Sequence, residues 1–154
     1  MTTTLLIVHA ILAVTLLGAI THQAISVWLP QRGVAGSFVG RFRAVTATSY
    51  VNAVIVLYVA TAILGGIIYP AYRVGVRVVL QELDLNVPNG LFELKEHFVA
   101  VGLGLLPAYR CFWEQPLADD HARTRAILTA VLAFIVWWSF VVGHILHDIQ
   151  GFGL

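Results

Sequence analysis

Charged residues are scarce in this sequence. Only 11% of its 154 residues are Asp, Glu, Lys or Arg, whereas 59% are hydrophobic, and the mean hydropathy is +0.86. Because a soluble domain carries about 25% charged residues, this composition indicates a protein integral to the cell inner (plasma) membrane. Its length allows one transmembrane domain over 1–154. The nine Lys and Arg residues are scattered over several loops, which argues against a nucleic-acid-binding surface.

Cysteine and methionine are nearly absent. The single cysteine, Cys111, excludes an internal disulfide, a CxxC metal motif and a CxxCH haem-attachment motif. The only methionine is Met1. Any metal or haem held inside the membrane would therefore depend on histidine and carboxylate side chains.

Long apolar segments dominate the rest of the chain. A helix needs about 20 apolar residues to cross the hydrocarbon layer, and four segments have this length. We therefore expect an all-α, four-helix integral membrane bundle with helices at about 5–29, 44–69, 91–113 and 124–148. Pro30 and Pro70 are expected to end the first two helices, Asn89 to cap the third, and Pro107 to kink it.

The distribution of basic residues predicts the orientation. Arginines of the first and third connections outnumber the basic residues of the opposite side, six against three; the six are Arg32, Arg41, Arg43, Arg110, Arg123 and Arg125. By the positive-inside rule both termini lie on the outer, periplasmic side. The connection 71–90 is then an outer loop whose mixture of apolar and charged residues predicts an amphipathic segment at the interface.

An ionisable cluster opens the third apolar segment. Glu93, Lys95, Glu96 and His97 stand directly before a run of apolar residues. Such groups cost free energy at the mouth of a membrane helix, so they are candidates for a functional site. We expect at most one of the neighbours Lys95 and Glu96 to reach the bundle interior, where it would handle protons.

Histidines from three helices are expected near the same membrane face. In the predicted topology these are His9, His97, His144 and His147, with Asp148 beside the last. Haem iron is held by axial imidazoles, so this set predicts a haem b site in which His97 and either His9 or His144 bind iron. Glu96 and Asp148 would support these ligands or move protons.

Other interpretations of the same residues stay open. Copper held by His9, His97 and His144 is one, since imidazole suits copper, and a proton relay for quinone chemistry is another. His22 lies about 20 Å deeper than His9 along the helix. Because no other helix has a histidine at that depth, we expect His22 to hydrogen-bond within the bundle, with Thr21, Gln23 or Asn52.

Short motifs resemble a known group of membrane proteins. They are the histidine of VHAILAVTLLGA, the segments GRFRAVTATSY and LGGIIYP, and the lysine of ELKEHFVAVGLGL. Together they resemble the small four-helix proteins that include the copper-resistance D domain and the HemJ-type protoporphyrinogen oxidase. In the HemJ-type family a first-helix histidine and a third-helix lysine serve the site and haem b is implicated, which by position implies His9 and Lys95. The chain departs from that pattern at Glu96, His97 and the pair His144 and His147.

The favoured function is that of a membrane b-type haem or metal protein for electron transfer, linked to a quinone or to a larger respiratory complex. Three alternatives stay open: a HemJ-like porphyrinogen oxidase, a copper-binding or copper-transport protein, and a structural subunit of a membrane complex.

Overall fold

The chain is helical throughout the part that the structure describes. The computed structural model describes residues 2–28, 46–115 and 121–151, except for the side chains of residues 2 and 147–151. Over these residues there is no strand, and the α-helices are α1 (Thr2–Trp28), α2 (Val51–Val74), α3 (Val76–Glu82), α4 (Asn86–Glu114) and α5 (Ala122–Gly151). A 3₁₀ turn, Ala47–Tyr50, leads into α2. The prediction of an all-α protein with four long helices is confirmed.

Three helical stretches are long and apolar enough to cross a membrane. Within the described residues they are Thr3–Trp28, Ala47–Glu82 and Ala122–Leu146, which indicates a membrane protein. The prediction of four such segments is wrong in this respect, because α4 does not qualify. α4 is as long as the others, but charged residues at both its ends lower its hydropathy.

The helix boundaries around Pro70 and Asn89 differ from the prediction. α2 continues through Pro70 to Val74, since a proline so near the end of a helix removes only one backbone hydrogen bond. α4 begins at Asn86, so Asn89 lies inside the helix, and Leu85 takes the N-cap position without a side-chain cap bond. The connection 71–90 is therefore mostly helical, and α3 occupies its centre.

The four long helices form a ring that is loosely closed on one side. α1 packs against both α2 and α5, and α5 packs against α4, whereas α2 and α4 touch each other much less. Buried residues along the well-packed contacts form the core; they include Leu16, Ile20, Val54, Leu132 and Ile135. The weak contact between α2 and α4 leaves a seam.

Polar side chains join the helices at the end of the bundle that contains the C-terminus of α1. Gln23 is fully buried; it accepts a hydrogen bond from the Tyr109 hydroxyl at 2.6 Å, and its Nε2 donates to the Ala47 carbonyl at 3.1 Å. His22, also buried, stacks on the Tyr50 ring with the centroids 4.6 Å apart. Its ring also lies 3.4 Å from the Ser26 hydroxyl.

Candidate functional site

A half-open cavity of about 290 Å³ lies among the four long helices. It lies toward the end of the bundle that contains the N-termini of α1 and α4. Small and apolar side chains form most of its walls, which suits a hydrophobic ligand. Each of the four helices also contributes at least one polar side chain: His9 from α1, Tyr58 and Thr61 from α2, Lys95 and Glu96 from α4, and Ser139 from α5.

One stripe of α4 forms a wall of this cavity. Its members recur every three or four residues and are Phe92, Lys95, Glu96, Val99, Ala100 and Leu103. Positions with this spacing share one face of a helix. Both Lys95 and Glu96 therefore line the half-open cavity, which leaves open the expectation that at most one of them reaches the bundle interior. Adjacent residues sit on the two edges of the same stripe.

Lys95 lies partly buried in this wall. Its ammonium nitrogen is 4.3 Å from the centroid of the Phe92 ring, a cation–π contact. Among the described residues it forms no salt bridge, while Glu93, one half-turn earlier, is bound to Arg77 of α3 at 3.1 Å. Tyr72 of α2 covers the other side of Phe92, with the ring centroids 3.7 Å apart. The aromatic contacts and the ion pair thus fix the start of α4 beside the cavity.

Three residues on the remaining walls each have a buried polar atom that forms no hydrogen bond with the described part of the chain. These atoms are His9 Nδ1, Thr61 Oγ1 and Ser139 Oγ, from three different helices. His9 lies beside α2 where Gly65 leaves space, since a Cβ at that position would meet His9 Cε1 at 3.4 Å. Buried polar atoms are normally hydrogen-bonded. Three lining residues that each have an unpaired polar atom therefore make this cavity a candidate binding site for a ligand or for water.

The cavity brings together some of the predicted site residues and not others. His9, Lys95 and Glu96 line it, while His97 is exposed, outside the α4 stripe, and 2.7 Å from the Glu93 carbonyl through its Nδ1. His144 is exposed and stacks on Phe140 of its own helix. The side chains of His147 and Asp148 lie outside the described residues.

Metal ligation has no further support from the arrangement. In the part of the chain that is described, no three His, Cys, Asp or Glu side chains form a group that could hold a metal ion. The predictions of haem b and of copper therefore stay predictions.

Sequence reasoning missed Tyr58, Thr61 and Ser139. On α2 a signal was available, because Tyr58, Thr61 and Gly65 follow one another at intervals of three and four residues within an otherwise apolar helix. Ser139 offered no comparable pattern. It lies between Trp138 and Phe140, and only the packing of α5 shows which way it points.

Comparison with known proteins adds no relative: no family model, no curated protein and no solved structure matches this chain.

Proposed function

We propose that this chain is a quinone-linked electron-transfer protein of the membrane and that its cavity binds the quinone head. The observation that carries the proposal is the cavity wall, where the polar residues His9, Thr61 and Ser139 line one largely apolar cavity together with Lys95 and Glu96.

The chemistry of a quinone matches these side chains. Its two carbonyl oxygens accept hydrogen bonds, which the hydroxyls of Thr61 and Ser139 and a protonated nitrogen of His9 can donate. Reduction to the quinol takes up two electrons and two protons. His9 and Glu96 are groups that exchange protons, and the Lys95 ammonium stabilises negative charge on the oxygen during the reaction. A redox partner protein supplies or removes the electrons.

The size of the cavity favours a ring with a tail over a larger ligand. Pockets for small molecules typically measure about 300–1,000 Å³, and this one, at about 290 Å³, is at the lower limit. A single quinone ring fits such a volume, and its tail can lie outside because the cavity is half open.

The membrane arrangement belongs to the same proposal. Although α4 is less apolar than the other three helices, we propose that it crosses the bilayer with them, because it is 29 residues long and packs along α5. Both termini lie on the outer, periplasmic side of the inner membrane, as the distribution of arginines favours. The cavity then lies in the outer leaflet, and the bulky apolar surface suits association with a larger membrane complex.

Binding of a short-chain quinone to the protein in nanodiscs tests the proposal. Lys95→Met removes a charge-assisted hydrogen bond worth about 1.5–3 kcal/mol, so the dissociation constant should rise about 10- to 150-fold. His97→Ala is the matched control, because His97 lies two residues away and outside the cavity; its effect should stay within about twofold. Absence of quinone binding to the parent protein, or equal effects of the two substitutions, would refute the proposal.

A HemJ-like porphyrinogen oxidase is the second candidate. The observation in its favour is that His9 and Lys95, the two residues to which the resemblance assigns the site, line one cavity. Oxidation of protoporphyrinogen, followed by porphyrin fluorescence and abolished by either His9→Ala or Lys95→Met, would replace the quinone proposal with this one.

A visible absorption spectrum of the purified protein tests the prediction that electron transfer depends on a bound haem b. A reduced-minus-oxidised b-type signal that is lost in His97→Ala would establish a haem held by that histidine. A haem signal that survives in His97→Ala and disappears in His9→Ala would place the iron at the cavity instead.

A further inference from the structure

We infer that the cavity is filled from the bilayer, through an opening between α2 and α4, by an amphiphile whose hydrophobic tail stays in that opening. The inference concerns the same cavity as the proposed function and rests on it for the identity of the head group. The route itself follows from the exposure of the walls, the packing of the helices and the side chains around the opening.

The exposure of the lining residues locates the opening. Three of them are exposed, namely Gly66 of α2 and Ala100 and Leu103 of α4. On the opposite side, α1 and α5 present Leu16 and Val136, which are 4% and 6% exposed. The cavity is thus closed by α1 and α5 and open where α2 faces α4.

Two aromatic contacts between α2 and α4 lie beside this opening. The Tyr58 hydroxyl of α2 donates to the Val99 carbonyl of α4 at 3.1 Å. Nearer the start of α4, Tyr72 of α2 stacks on Phe92. The two tyrosines are fourteen positions apart on α2, about 21 Å, whereas Phe92 and Val99 are seven positions apart on α4, about 10 Å. The contact between α2 and α4 is weaker than the other contacts between neighbouring long helices, so the opening lies along this pair.

The residues at the opening suit a hydrocarbon chain rather than water. They are small and uncharged on α2, where Ala62 and Gly65 precede Gly66, and a Cβ added at Gly66 would meet nothing within 4 Å. This part of α2 lies within the membrane-spanning stretch Ala47–Glu82. Lys95 and the polar residues His9, Thr61 and Ser139 line the cavity behind the opening. A ligand with a polar, electron-rich head and one apolar tail matches both environments.

The route is tested without any quinone by ¹⁹F NMR of a trifluoroethyl-labelled cysteine at Ala13, a half-buried residue of α1 on the closed side. The label is placed in a Cys111→Ser background, in nanodiscs. Dissolved oxygen, which concentrates in the bilayer, should relax the label more strongly than an aqueous nickel chelate. Gly66→Leu should reduce the oxygen effect at least about twofold, because the leucine occupies the opening.

Gly18→Leu is the matched control. Gly18 is also exposed and also has nothing within 4 Å of an added Cβ, but it does not line the cavity. It should leave the oxygen effect unchanged. Stronger relaxation by the nickel chelate, or equal effects of the two leucines, would overturn the inference.

A second measurement concerns the tail. The dissociation constants of a decyl-benzoquinone and of the same ring without its chain are compared at equilibrium. Gly66→Leu should weaken binding of the decyl form about tenfold or more and that of the bare ring by less than threefold, since the leucine competes with the chain. Equal losses for both would overturn the tail assignment.

The outcomes separate the two proposals. If oxygen reaches the label through the opening but neither quinone binds, the quinone function fails and the lipid route stands. If the quinones bind but oxygen does not reach the label, the route fails and the quinone function stands.

Discussion

Of the contacts along the seam between α2 and α4, the one between Gly102 and Tyr58 should be the least tolerant of a larger side chain. Gly102 is buried directly against the Tyr58 ring, and a Cβ added there would lie 2.6 Å from Tyr58 Cζ. Tyr58 cannot move away easily, because it is only 3% exposed and its hydroxyl is hydrogen-bonded to the Val99 carbonyl. Gly102→Ala should therefore force the ring, or the whole of α4, to shift.

The expected loss follows from two terms. Overpacking a well-packed site by one methyl group costs about 1–3 kcal/mol. Displacing Tyr58 would also break its interhelical hydrogen bond, and such bonds contribute on average about 0.6 kcal/mol and at most about 1.7 kcal/mol within membranes. Gly102→Ala should thus lower the free energy of unfolding by about 2–4 kcal/mol.

Equilibrium unfolding in mixed micelles, followed by helical circular dichroism, measures this loss. Gly104→Ala is the control, because it lies on the same helix and a Cβ there would meet nothing within 4 Å. In a Tyr58→Leu background, which removes the ring, Gly102→Ala should cost less than about 0.5 kcal/mol. Similar stabilities of Gly102→Ala and Gly104→Ala, or an undiminished loss in the Tyr58→Leu background, would refute the reasoning.

Two further predictions concern contacts outside the cavity. Gln23→Leu leaves the buried Tyr109 hydroxyl unpaired and should destabilise the protein by about 1–3 kcal/mol. In the same unfolding assay, the loss for the double variant Gln23→Leu with Tyr109→Phe should be smaller than the sum of the two single losses, because the 2.6 Å hydrogen bond couples the two residues. Full additivity would show that it does not. Arg77→Gln removes the ion pair with Glu93, whose side chains are 27% and 47% exposed, so its cost should be below about 1 kcal/mol and disappear at high salt. A larger loss that persists in high salt would contradict a surface pair.

The helices were predictable because hydropathy alone determines where long apolar segments must lie. α1 was expected at about 5–29 and is Thr2–Trp28. The start of α4 was placed too late because residues 86–90 contain Pro88 and Gly90, which usually mark a loop. Pro88 is tolerated because it stands in the first turn of the helix, where its missing N–H would have had no partner in the helix.

The site was only partly predictable, because sequence gives depth along a helix more readily than direction around it. The expectation that His9 and the start of α4 lie near the same end of the bundle agrees with the cavity, which both help to line. His97 was predicted to bind haem iron at this site, yet the α4 stripe contains Lys95 and Glu96 and not His97. That choice depends on how α4 is rotated against α5, and the rotation is set by packing that includes Phe98 against Phe134 and Trp138.

The position of Lys95 carries an energetic consequence for any ligand of the cavity. The nearby carboxylate of Glu93 is already paired with Arg77. The cation–π contact with Phe92 is worth about 0.5–2 kcal/mol, whereas partial burial of an ammonium group costs several kcal/mol unless it is paired. Glu96 attracts the ammonium but forms no salt bridge with it among the described residues. A ligand that enters the cavity and accepts a hydrogen bond from Lys95 would offset the remaining cost. Lys95→Met should therefore make the empty protein more stable while it weakens ligand binding.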